Sequence, residues 1–174
     1  MNFLKKIIFI SILFFACQNY LFSDIPYFVD FKYILNESKA GKEAQNYLKK
    51  KLNDGIKNLK NKEETIKKEE KKIIQQRKII SAEEYKKKVN GLRDQVSKLQ
   101  KDRDNLFETV SKQRSKARNE LLKNLNPIIK EYMKEKKIRM VLDKKGLLLA
   151  DENLDITQDI IKILNNKLKS IKLN

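Results

Sequence analysis

Histidine and tryptophan are absent, cysteine occurs once, proline twice and glycine four times among the 174 residues. Without histidine, and with a single thiol, the chain cannot assemble a zinc site of the usual kind. Nor can it form a Cys–His or Ser–His nucleophile pair. The glycines stand singly at 41, 55, 91 and 146, so there is no glycine-rich phosphate loop. Few glycines and prolines also argue against a many-stranded all-β fold, which needs a turn about every 8–12 residues. Acids are short as well, with 23 Asp and Glu against 40 Lys and Arg and a formal net charge of +17. This composition points away from an enzyme and asks for no cofactor.

What is present begins with Lys5 and Lys6, followed by a mostly apolar run from Ile7 to Ala16 that only Ser11 interrupts. A bilayer takes about 20 apolar residues to cross, so the run is too short. Residues 1–23 read as a secretory signal peptide. Cleavage after Ser23 leaves a soluble mature chain that starts at Asp24 and has no cysteine. Alternatively, Leu13 to Cys17 forms a loose lipobox and Cys17 is lipidated, although Phe14 and Phe15 are bulky for that motif. The mature charge is +15, because the removed segment holds Lys5, Lys6 and no acid. A chain without cysteine has no disulfide to staple it. Its stability must come from packing, between chains if not within one.

The hydrophobic period then changes twice. In residues 25–35, Tyr27, Val29, Phe31 and Tyr33 stand two apart with Asp30 and Lys32 between them, which predicts a strand with one buried face. From about Ser38 the period becomes helical. Leu52, Leu59, Ile66, Ile73 and Ile80 recur every seven residues, while the partner seam from Ile56 continues as Glu63 and Glu70 and is charged. Ser81-Ala82-Glu83-Glu84 reads as a capping box, so one helix ends near Arg77 and another starts at Ala82. The second helix keeps both seams in Tyr85, Val89, Leu92, Val96, Leu99, Leu106 and Val110, with Arg103 intruding. Further on, Ala117, Leu121, Leu125, Ile128 and Tyr132 continue an apolar face, and a kink is expected at Pro127. Two helices joined by a tight turn would make an antiparallel hairpin roughly 60 Å long. The alternative is one unbroken rod of about 140 Å.

Residues 138–150 read as two short strands around a Lys144-Lys145-Gly146 turn. Asp155 and Gln158 mark another helix start, with Ile156, Ile160, Ile163, Leu164 and Leu168 as its apolar face. The expected class is therefore α+β, mostly α. A helical-hairpin arm over 42–123 is mounted on a small β-rich body of residues 24–41 and 124–174. A body that small is marginal alone, so its strands are expected to complete a core by oligomerising. Tyr27, Val29, Phe31, Met140, Leu142, Leu147 and Leu149 are the candidate contacts.

Residues 42–123 hold 25 basic and 13 acidic side chains, so the arm carries +12 of the charge. Lys49-Lys50-Lys51, Lys67-Lys68 and Lys86-Lys87-Lys88 are consecutive and spread around a helix rather than lining one face. No nucleic-acid recognition motif accompanies them, and an export signal removes the chain from nucleic acid. A plain solvated helix accounts for the charge, as does attraction of acidic proteins, anionic lipids or envelope polysaccharide. The apolar stripe has two readings as well. Leu52, Leu59, Ile66, Ile73, Ile80, Val89, Leu92 and Val96 can pack one helix on the other. Whatever area is left uncovered can hold a non-native chain weakly.

Several short segments, in order, carry a resemblance. Val29-Asp30-Phe31 followed by Ser38-Lys39-Ala40-Gly41-Lys42-Glu43-Ala44 resembles the start of the Skp/OmpH family of periplasmic chaperones. Ser81-Ala82-Glu83-Glu84-Tyr85 resembles that family's hairpin tip. Val141-Leu142-Asp143, Leu149-Ala150-Asp151 and Asp155-Ile156-Thr157 resemble its closing strands and final helix. The chain departs from the family in having Lys136-Lys137-Ile138, where an Ala and a Gly are common. The resemblance implies a homotrimer with three arms around a cavity, and an ATP-independent periplasmic holdase for unfolded outer-membrane proteins. A structural coiled-coil envelope lipoprotein anchored through Cys17 is the alternative.

Overall fold

The computed structural model describes residues 25–173; the signal-peptide reading of 1–23 and Cys17 lie outside them. The chain is mostly helical with a small two-stranded sheet. Strand β1 (Tyr27–Val29) lies parallel to β2 (Val141–Asp143), with Tyr27 opposite Val141 and Val29 opposite Asp143. On its other side, the carbonyl of Phe28 accepts the Ile156 N–H at 3.0 Å.

The strand is much shorter than the alternation of Tyr27, Val29, Phe31 and Tyr33 predicts. Asp30 ends it by capping a helix: its Oδ1 accepts the Tyr33 N–H at 2.8 Å, and its own N–H donates to Thr157 Oγ1 at 2.9 Å. Helix α1 (Phe31–Glu37) follows. It sends Ile34 into the core and leaves Tyr33 exposed. A cap plus one well-buried isoleucine outweighs the β preference of an aromatic-rich segment, because that preference is itself a packing effect.

Ser38 is fully buried and caps helix α2 (Lys39–Gln76), its Oγ accepting from the Gly41 N–H at 3.2 Å. The chain turns at residues 77–81. Helix α3 (Ala82–Lys136) starts where the capping box places it, with Ser81 Oγ accepting from Glu84 N at 3.2 Å. Helix α3 runs through Pro127 and continues to Lys136. Ile128, Ile129 and Tyr132 are buried in the turns beyond the proline, and that packing offsets the hydrogen bond it removes. The helix stops at Lys137 in the left-handed region, φ 56°. The Ile138 N–H returns to the Met133 carbonyl at 2.8 Å, a Schellman closure.

Of the two strands expected in 138–150 only β2 forms. Lys144–Gly146 is a 3₁₀ turn, held by Asp143 Oδ1 accepting from Lys145 N at 3.2 Å. Leu147 to Ala150 belong to no ladder, so Leu147 and Leu149 are not strand residues here. Within one chain that segment has no strand to pair with. A second 3₁₀ turn, Glu152–Leu154, leads to helix α4 (Thr157–Lys167). Asp155 does mark its start, since its Oδ1 accepts the Thr157 N–H at 2.8 Å.

The core gathers Val29, Ile34, Leu125, Ile128, Ile160 and Leu164 from β1 and three helices. Val29 is wholly covered inside its own chain, which removes it from the candidate contacts with a second copy. A second cluster joins Ala44 and Leu48 of α2 to Ala117 of α3 and Leu173 near the C-terminus.

Candidate binding surfaces on the helical pair

Helices α2 and α3 lie antiparallel. A Cβ on Gly55 would meet Leu106, Lys62 pairs with Asp102 at 2.7 Å, and Gln95 donates to Glu69 at 2.9 Å. Nearer the turn, Lys88 donates to Gln76 at 2.8 Å. The seam between them follows the seven-residue repeat. Leu59 and Ile73 of α2 are buried in it, with Val110 of α3. Leu52, Ile66 and Ile80 are half-buried, as are Val89 and Leu92.

Between Leu59 and Ile73 the seam is thin. A cavity of about 330 Å³ opens there, lined by Lys62, Thr65, Ile66, Gln95, Lys98 and Leu99 among others. Charged residues occupy the flanks: Arg103 stands 3.9 Å from Glu63, which also pairs with Lys67 at 2.8 Å. The Lys67 hydrogen bond holds the Glu63 carboxyl below its ordinary range. Lys62 does the same to Asp102. These pairs are solvent-exposed and each contributes little to stability. Both carboxylates are ionised at neutral pH with or without that shift.

Of the eight apolar candidates on the pair, only Val96 is open, at 50% exposure. Leu59 and Ile73 serve the helix–helix seam, and the structure offers no free surface on them. The sequence reading missed other side chains that are open. Ile74, Phe107 and Ile79 are exposed, Ile79 by 83% on the turn, and Ile56 from the charged seam is exposed as well. Phe107 follows Leu106, and Ile74 follows Ile73. A neighbour in sequence lies about 100° around the helix, so each pair splits into one inward and one outward residue. Two adjacent apolar residues where the repeat needs one was the available signal.

Away from the pair, Met140 is exposed, and Tyr27, Phe31, Leu142 and Leu147 are half-buried. Leu149 is 92% exposed beside Leu148 at 96%. Among the described residues no cluster of His, Cys, Asp and Glu is placed to hold a metal ion. No described helix is long and apolar enough to cross a membrane.

Comparison with known proteins follows this geometry. A crystal structure of an OmpH-like protein from Caulobacter crescentus, named as a candidate outer membrane chaperone, superposes with a TM-score of 0.79 at 19% identity. The match covers 85% of this chain and 89% of that one, and it establishes a shared fold. No curated protein matches. Residues 27–164 match the family model described as outer membrane protein (OmpH-like). With the match running from β1 into α4, the chain belongs to the OmpH-like family.

Proposed function

We propose that this protein is an ATP-independent holdase of the periplasm that binds unfolded outer-membrane proteins. The observation that carries the reading is the combination of open apolar side chains and excess positive charge on one helical pair. Ile56, Ile74, Val96 and Phe107 stay exposed on helices whose net charge is +12. Positive charge raises the local concentration of acidic unfolded chains. Dispersed apolar contacts then hold them weakly, with no fixed sequence preference. Release needs no fuel when folding of the client competes with such binding. Residues 42–123 act as the arm in this reading, and Leu52, Ile66, Ile80, Val89 and Leu92 add the part of their surface that the seam leaves free.

Residues 24–41 and 124–174 form the body through which copies assemble as a homotrimer. Support comes from the exposed Met140, Leu148 and Leu149, whose apolar area has no cover within the chain. The arms then enclose a cavity, and their basic surface also suits contact with anionic lipid. Export by the 1–23 segment delivers the protein to its clients.

Aggregation of a urea-denatured porin after dilution tests the function. Light scattering should fall when the protein is present, and the protection should weaken at high salt. No protection at low ionic strength overturns the proposal.

A further inference from the structure

Where α2 leaves the corner at Ser38, a cavity of about 620 Å³ opens between α2 and α3. That lies within the range of roughly 300–1,000 Å³ in which proteins hold small ligands. Its apolar lining is the half-buried Leu35 and Leu52, together with Leu48, Ala117 and Leu121, which are almost fully covered. Lys49, Arg114 and Arg118 add three cations, and no acidic side chain lines it. Arg114 and Arg118 stand one turn apart on α3 and have no acidic partner among the described residues.

We propose that this cavity binds a fatty acid, with the alkyl chain against the leucines and the carboxylate at the arginines. Three observations favour it over a peptide or a larger lipid. A peptide entering the apolar interior brings backbone N–H and C=O groups that must be satisfied there. Yet two of the lining amides, Asn36 and Gln45, are already bonded to each other at 2.7 Å. An alkyl chain asks for no hydrogen bonds at all. Two guanidinium forks at adjacent turns match a planar carboxylate attached directly to that chain. With that pair made, Asn46 is the remaining lining amide for the several hydroxyls of a glycerol-based headgroup. The site shares Leu52 with the proposed client surface, but laurate binding is measured with no client present and so is tested apart from the holdase reading.

The test is calorimetric titration of the mature protein with laurate, dodecyl maltoside and monododecyl phosphate, each below its micelle concentration. Saturable laurate binding at one per chain is expected, at least tenfold tighter than the neutral maltoside and no weaker than the phosphate. Methyl resonances of Leu35 and Leu52 should shift most on addition of laurate. The double substitution R114Q/R118Q sits on the helix surface, and its folding is checked by circular dichroism. It should weaken laurate binding at least tenfold and leave maltoside binding alone. Equal affinity for the maltoside overturns the proposal, as does a clear preference for the phosphate. Methyl shifts confined to other residues, or unchanged binding in the double variant, do so too.

Discussion

A methyl group on Gly41 would stand 2.1 Å from the backbone carbonyl oxygen of Leu35. The corner between α1 and α2 is closed so tightly that only glycine fits the first turn of α2. Because the obstacle is backbone, it cannot swing aside. Gly41→Ala should therefore lose at least about 2 kcal/mol. Gly91 lies mid-helix with nothing near a built Cβ, and Gly91→Ala should gain about 0.5–1 kcal/mol from helix propensity. Urea denaturation followed by circular dichroism should give opposite signs for the two alanines.

Lys137 occupies the left-handed position that closes α3. A lysine there carries a Cβ penalty that glycine avoids. Lys137→Gly should raise stability by roughly 0.5–1 kcal/mol despite the greater freedom of glycine when unfolded. A lowered melting temperature would mean that the Lys137 side chain holds the cap in some other way.

Tyr132 donates to Asp159 Oδ2 at 2.7 Å from a largely buried position. Burial first, and then that bond, push its pKa up from 10 to about 12. Below about pH 10 the phenol is protonated in both folded and unfolded chains, and its contribution is fully present. Between about 10 and 12 the unfolded chain loses its proton first and stability falls. Tyr132→Phe should cost about 1 kcal/mol at neutral pH. It should also show a shallower decline from pH 10 to 12 in parallel urea titrations.

Seam and surface should separate by mutation. Ile56, Val96 and Phe107 are exposed, so replacing all three with serine should leave melting nearly unchanged while reducing protection of the diluted porin. Leu59→Ser and Ile73→Ser remove buried groups, and each should cost roughly 2–4 kcal/mol. Unaltered protection by the triple variant would move client contact to other residues.

Leu148 and Leu149 stand almost wholly in solvent in the isolated chain. Changing both to lysine should leave the helical signal intact and lower the oligomer mass seen by native mass spectrometry. An unchanged mass would place self-association elsewhere.

Helices α2, α3 and α4 were largely legible in sequence because each carries a local signal, whereas α1 was read as strand. Ser81 caps where the capping box places it, α2 starts beside Ser38 where the period turns helical, and the seven-residue repeat marks which leucines and isoleucines turn inward. The strands were less so. Tyr27 to Tyr33 alternates convincingly, yet Asp30 finds its partners in Tyr33 and, far along the chain, Thr157, and no pattern within residues 25–35 shows that second contact. Leu147 to Ala150 reads as a strand by composition, but a strand also needs a neighbour, which a sequence does not supply. The exposed apolar residues were missed for a related reason. A repeat identifies what faces inward, whereas Phe107 and Ile79 matter for facing away. The cavity at Arg114 and Arg118 depends on how α1 abuts α2, which periodicity does not encode.

Strand β1 pairs with β2 although all of α1, α2 and α3 intervene. Closing so long a loop early in folding would be entropically costly, whereas helices grow within microseconds from local contacts. Once α2 lies along α3, the segments flanking them are delivered side by side and the remaining search is short. Assembly therefore runs from the middle of the chain outward, and the two-stranded ladder acts as a late clasp.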